Sequence, residues 1–239
     1  MSEILKINNL WGGYKEGVDV LCGISMEVQQ GESIGIIGLN GSGKSTFGKA
    51  IMNMIPFRRG EIFFEGEVIT ALSTSQLAHR GISIMQQGGK VFPNLSVWDN
   101  LQLAMTGKRP IVNSQWSMLK ELVPLLQRPK KELQLLMADK LSGGQKHQLS
   151  LAMTLATNPR FIILDEPSAG LSPKAVGEMY EMLFSIRKSL NLTILLIEQN
   201  IAKAVNYCDS VFLLQHGSIT SHCDFKDFQV IESVMFNKN

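Results

Sequence analysis

Three clusters of residues have the types and the spacing to do chemistry on a phosphorylated ligand. The first is Gly38-Leu39-Asn40-Gly41-Ser42-Gly43-Lys44-Ser45, which follows the apolar run 33–37 and opens a helical stretch expected over 46–54. Its glycines let successive backbone N–H groups converge on phosphate oxygens, and the helix start adds a partial positive charge. Lys44 supplies a full one, and the Ser45 hydroxyl is a ligand for Mg²⁺. The second is Asp165-Glu166, which ends the aliphatic run 161–164. Two carboxylates at the carboxyl edge of a buried strand need a cation or a proton nearby. Opposite a phosphate loop the division of labour is Asp165 on the metal and Glu166 on the attacking water. The third is Leu141-Ser142-Gly143-Gly144-Gln145, where a serine and two glycines precede a helix through Leu155. It is a second anion-binding helix start, or simply a capped one.

An α/β sheet must position these clusters. Strand-like runs fall at 5–8, 24–28, 33–37, 61–64, 82–85, 161–164, 193–197 and 211–214, and the later ones alternate with helical periodicity. Val176, Met179, Leu183, Ile186 and Leu190 lie on one face of a helix following Pro173. From about 93 to 139 the strand signal disappears. Ser96 with Asp99 reads as a capping box, and Trp116, Leu119, Leu122 and Val123 continue a helical spacing until Pro124. Gly88-Gly89 and Gly143-Gly144 flank this helical insertion as turns or hinges.

Composition narrows the class. The 239 residues are 44% hydrophobic and 18% charged, which excludes a disordered or fibrous chain. The net charge of +2 gives no electrostatic case for nucleic acid. No apolar run approaches the roughly 20 residues needed to cross a bilayer. The N-terminus lacks a signal-peptide pattern, and three cysteines form neither an even set nor a CxxC pair, so a reducing cytoplasm is expected. His216, His222 and Cys223 lack a second pair of ligands at metal spacing and read as surface residues.

Taken in order, the loop 38–45, Leu141–Gln145 and Asp165-Glu166 resemble the ATP-binding-cassette (ABC) ATPases, whose signature motif is LSGGQ. The resemblance covers nearly the whole chain. It implies an α/β fold: a P-loop NTPase core with a mostly parallel sheet, an antiparallel β portion near the N-terminus, and an inserted helical subdomain. The chain is then one ABC ATPase domain over 1–239, with its core at 1–92 and 140–239 and the subdomain at 93–139. ATP and Mg²⁺ are the implied ligands. Gly38, Asn40, Gly41, Ser42, Gly43, Lys44, Ser45 and Thr46 bind nucleotide on one subunit, and Ser142, Gly143, Gly144 and Gln145 on the facing one. Tyr14 takes the place of the aromatic that stacks on adenine, displaced by one residue, with an ordinary surface tyrosine as the alternative. Gln87 matches the glutamine that senses Mg²⁺ and the γ-phosphate. Gln86 competes for that role, and counting back from Val91-Phe92-Pro93 selects Gln87. Ser45, Gln87 and Asp165 are the implied metal set, and Glu166, Gln199 and Lys44 the catalytic one.

Two positions depart from the family pattern. Gln199 stands where a switch histidine is usual, and Ser172 where the loop after Glu166 usually ends in aspartate. The triplet Glu198-Gln199-Asn200, the loop 168–173 and the segment 91–97 are similar to ATPase subunits of branched-chain amino-acid and urea importers. That similarity implies a cytoplasmic subunit, peripheral on the membrane, that dimerises with itself or a related ATPase. It would drive separate permease subunits, served indirectly by an extracytoplasmic solute-binding protein. The permease is expected to dock near 87–101. A soluble ABC ATPase of cluster assembly or repair, and an ATP-gated clamp with little turnover, are the rival readings.

Overall fold

The computed structural model describes residues 2–105 and 113–224. Cα packing separates two compact units, one formed by the chain up to Thr74 and from Thr193 onward, the other by Ser75–Leu192.

The first unit begins with β1 (Glu3–Gly13) and β2 (Leu21–Gln29), followed by β3 (Ser33–Ile37), α1 (Lys44–Ile51), β4 (Phe57–Phe64) and β5 (Glu67–Val68). β1 lies between β2 and β4, antiparallel to both, and β4 carries β5. In β2, buried Ile24, Met26 and Val28 alternate with exposed Ser25 and Glu27, the period expected of a sheet with one wet face. β3 is different: all five of its residues are buried. A strand without polar alternation must be covered on both faces, which makes β3 a central strand.

The second unit starts within α2 (Thr74–His79) and continues through β6 (Ile82–Met85), α3 (Val97–Met105) and α4 (Asn113–Leu122). A 3₁₀ turn at Pro124–Gln127 and α5 (Lys130–Leu135) lead to α6 (Gly143–Leu155), β7 (Phe161–Asp165) and α7 (Pro173–Leu190). β6 and β7 pair in parallel, with Met85 opposite Leu164. The expected insertion 93–139 is tied at its ends by backbone bonds from Asp139 N to Pro93 O (3.1 Å), Ala138 N to Leu95 O (3.0 Å) and Val97 N to Leu136 O (2.8 Å). The helical spacing is interrupted before Pro124 as expected: α4 ends at Leu122, Val123 is extended, and Pro124 stands at the first position of the 3₁₀ turn, where its missing N–H is no loss. Trp116 falls in α4, but its side chain lies outside the described residues.

The chain returns to the first unit with β8 (Thr193–Glu198), α8 (Ile201–Tyr207), β9 (Ser210–Gln215) and β10 (Ser218–Asp224). β3 lies between β8 and β9, parallel to both, and β10 closes the edge antiparallel to β9. The fold is thus α/β, with one mostly parallel sheet and an antiparallel sheet at the N-terminus.

Three local expectations are corrected. The Ser96 hydroxyl accepts from Asp99 N (3.0 Å) but donates to the Asp99 carboxylate (2.7 Å), so the side chains bond each other and no reciprocal capping box forms. Gly143-Gly144 is no turn or hinge: both glycines lie in the first turn of α6. The helix after the phosphate loop spans Lys44–Ile51 rather than 46–54, because Gly43 reaches φ 104° and can serve as its cap. β10 had no counterpart in the sequence reading, since SITSHCD carries little apolar alternation.

Asn100 is a structural residue that sequence reading passed over. It is fully buried, accepts from Phe92 N (2.8 Å) and donates to Phe92 O (3.0 Å) and Ser96 O (2.9 Å), clamping the segment that leads into α3. Asn100→Ala leaves these backbone groups unsatisfied and is expected to destabilise the protein by about 3 kcal/mol. Urea denaturation measures this; a midpoint equal to the parent's refutes the clamp.

Candidate nucleotide-binding site

In the first unit the phosphate loop grows from the end of β3. Register places Ile37 opposite Glu198 of β8 and Leu213 of β9, so residues 38 and 199 leave the same edge of the sheet. A Cβ on Gly38 would lie 2.3 Å from the Leu214 carbonyl and 2.7 Å from Ser42 Oγ, which leaves glycine the only residue that fits. Gly41 and Gly43 have φ of 80° and 104°, and Gly43 caps α1 without a side-chain acceptor. The backbone N–H groups of this helix start are therefore not capped by a side chain there. Lys44 is 5% exposed and bonds the carbonyls of Gly38 (2.8 Å) and Leu39 (3.0 Å), which folds its ammonium over the loop.

Ser42 Oγ is buried without a hydrogen-bond partner. An orphaned hydroxyl inside a glycine cradle that a Cβ would fill fits a phosphate-bearing ligand. Thr46 donates to the Tyr14 hydroxyl at 3.4 Å, and Tyr14 itself is half exposed, so its hydroxyl stands beside the first turn of α1. Asn40 is exposed at the tip of the loop and Ser45 is half-buried in the first turn of α1. Gln199 is exposed just beyond β8, its N–H donating to the Glu198 carboxylate at 3.2 Å. Asn200 caps α8 by accepting from Lys203 N.

In the second unit, Asp165 is the last residue of β7 and is buried, and Glu166 follows at φ 46°. A positive φ at a non-glycine residue marks a turn held by its surroundings. The parallel register of Met85 with Leu164 sets Gln87 and Glu166 each two residues past that pair. Gln87 Nε2 donates to Glu166 Oε2 at 2.6 Å, and Gln86 has no such bond among those described. The Ser45 hydroxyl and the Asp165 carboxylate are hard oxygen donors of the kind Mg²⁺ takes.

The third cluster starts α6. Ser142 accepts from Gln145 N at 3.3 Å while the Gln145 side chain accepts from Ser142 N at 3.0 Å, a complete capping box. Gly143 and Gly144 meet no crowding and leave the helix start open. Ser172 occupies the expected aspartate position and caps α7 through Ala175 N at 3.4 Å, with Pro173 at the first helical position. Serine thus keeps the cap that an aspartate there would make. Both helix starts border one cavity of about 460 Å³, floored by Ala175, Met179 and Met182.

Fold and loop together define a P-loop nucleotide-binding protein. The model of the ABC transporter family matches residues 21–169. LivF of Archaeoglobus fulgidus, a probable branched-chain amino acid transport ATP-binding protein, is 33% identical over 217 residues, covering 90% of each chain. The lipopolysaccharide export system ATP-binding protein LptB of Escherichia coli is 31% identical over 219 residues, covering 91% of this chain and 89% of its own. A nucleotide-free ATP-binding cassette from an ABC transporter superposes with a TM-score of 0.81 at 26% identity, over 98% of this chain and 95% of that one. The chain belongs to the ABC transporter family, as an ATP-binding, ATP-hydrolysing subunit. Among the described residues no helix is long and apolar enough to cross a membrane.

Proposed function

We propose that the protein energises import of a small solute, of branched-chain amino-acid or urea type, through separate permease subunits on the cytoplasmic face of the membrane. The observation that carries this reading is the 33% identity, across nine-tenths of both chains, with LivF, a probable branched-chain amino acid transport ATP-binding protein. The loop 168–173 and the Glu198-Gln199-Asn200 triplet support the same reading. An extracytoplasmic solute-binding protein would supply the solute, and the chain would pair with itself or with a related ATPase. The segment 93–139 is the proposed helical subdomain, with the permease docking near 87–101. Purification from membranes tests this: permeases and solute uptake abolished with the chain are expected, whereas co-purification with an export assembly would overturn import, an outcome to which the similarity with LptB gives weight.

The proposed roles follow the chemistry of each residue. The backbone of Gly38, Asn40, Gly41, Ser42 and Gly43 cradles the phosphates with Lys44 and Thr46, and Tyr14 stacks on the base. Ser45 and Asp165 hold Mg²⁺, with Gln87 completing the set, and the ion supplies charge neutralisation on the phosphates. Glu166 accepts the proton of the attacking water. Ser142, Gly143, Gly144 and Gln145 present their helix start to the partner's nucleotide, so each bound ATP is touched by two chains. No nucleic acid is required.

Gln199 keeps a donor and an acceptor in place of an imidazole but cannot change charge near neutral pH. Its position at the same sheet edge as Gly38 supports a contact with the transferring phosphoryl group. Gln199→Ala is expected to lower turnover roughly 10²-fold, the effect of deleting one preorganised donor, and Gln199→His to be tolerated. Steady-state phosphate release on the alanine variant decides it, since turnover at the parent's rate removes Gln199 from the reaction.

A further inference from the structure

His147, in the second turn of α6, is 5% exposed and plays no part in the roles above. Its Nδ1 lies 3.1 Å from the Gly143 carbonyl, an acceptor, so Nδ1 carries the proton and Nε2 is left with a lone pair. That Nε2 is buried with no hydrogen-bond partner. Leaving a buried acceptor unsatisfied is unfavourable, and such an atom calls for an explanation.

The neighbours of the ring supply one. A Cβ on Gly89 would fall 3.1 Å from His147 Cγ, Cδ2 and Cα, so the imidazole is seated against the Gly88-Gly89 turn, and Cδ2 is the atom bonded to Nε2. Gly88 and Gly89 have φ of 82° and 60°, and nothing lies within 4 Å of the Cβ position at Gly88. The turn is therefore pinned on the His147 side and free on the other. It directly follows Gln87, whose amide is held by Glu166. That bond takes one of the several acceptor sites of the Glu166 carboxylate and ties Gln87 to Glu166 rather than to the metal set proposed above.

We propose that His147 is a positioning residue for Gln87: its Nε2 accepts a backbone N–H of the Gly88-Gly89 turn when Gln87 leaves Glu166. The turn then has two arrangements, and the buried acceptor stabilises the one in which Glu166 is released. This rests on the role given to Gln87 above.

His147→Phe keeps the ring and removes the acceptor, while His147→Gln restores an acceptor without the ring. The phenylalanine variant is expected to melt within a few degrees of the parent, because deleting the unsatisfied Nε2 offsets the loss of the Nδ1 bond to the Gly143 carbonyl. Its kcat is expected to fall roughly tenfold, the lower end for a partner that orients a ligating side chain, with KM for Mg·ATP changed less than twofold. The glutamine variant should recover most of the loss. A phenylalanine variant with the parent's kcat overturns the inference. Gln87→Ala separates it from the reading beneath: an impaired Gln87→Ala beside a normal His147→Phe sinks His147 alone, whereas a normal Gln87→Ala sinks both. If His147→Phe does not fold, the ¹⁵N resonance of His147 Nε2 in the parent decides. An upfield displacement on adding Mg·ATP marks the new acceptor bond, and an unmoved resonance refutes it.

Discussion

Glu166→Gln is expected to bind Mg·ATP as tightly as the parent and to release almost no phosphate. The substitution preserves the local structure: the glutamine carbonyl can still accept from Gln87 Nε2, which now bonds Oε2 at 2.6 Å, and the unusual backbone at φ 46° is no harder for glutamine than for glutamate. What is lost is the ability to accept a proton. General-base catalysis contributes on the order of 10²–10⁴-fold, so turnover should drop by at least about 10². ATP then persists between two chains, and size exclusion in Mg·ATP should show a dimer that the parent forms only transiently. A variant that hydrolyses ATP at the parent's rate would remove Glu166 from the mechanism, and the proton would have to go elsewhere.

Ser142→Arg should leave nucleotide binding to the isolated chain intact and abolish the ATP-dependent dimer. Ser142 is exposed at the open start of α6, beside glycines that meet no crowding, so an arginine is accommodated in the single chain but projects where the partner's triphosphate is proposed to sit. The change also breaks the capping box, which costs about 1 kcal/mol and lowers the melting temperature by roughly 2–4 °C. Ser142→Ala removes the same cap without the bulk and is expected to dimerise; Ser142→Asp keeps a cap but sets a negative charge against phosphate and is expected not to. If Ser142→Arg dimerises on ATP like the parent, the Ser142 cluster is a helix cap and nothing more.

Much of this protein is local in its sequence. The loop from Gly38 to Ser45 is legible because its requirements are covalent and short-range: glycines where φ is positive, a lysine, a hydroxyl, an apolar strand before and a helix after. The Ser142 helix cap and the α7 stripe from Val176 to Leu190 were readable for the same reason, since a cap spans three residues and a helical face repeats every three or four. β3, β7 and β8 announced themselves by short, mostly aliphatic runs, which only a doubly covered sheet can bury. The family resemblance added the order of the motifs, and the fold agrees with it.

Tertiary structure decided what depends on residues far apart in the chain. Gln87 rather than Gln86 meets Glu166 because the parallel register of β6 and β7 brings residues 79 positions apart to the same edge. Asn100 looks like one polar residue on a helix until its buried amide is seen to bond the segment from Phe92 to Ser96. The polar run of β10 became a strand only because β9 offered it an edge. His147 carries no motif at all; its importance lies in burial, in the glycine it touches and in a lone pair without a partner. Spacing along the chain sets local geometry, whereas register, burial and hydrogen-bond satisfaction are properties of the packed whole, and no window of sequence contains them.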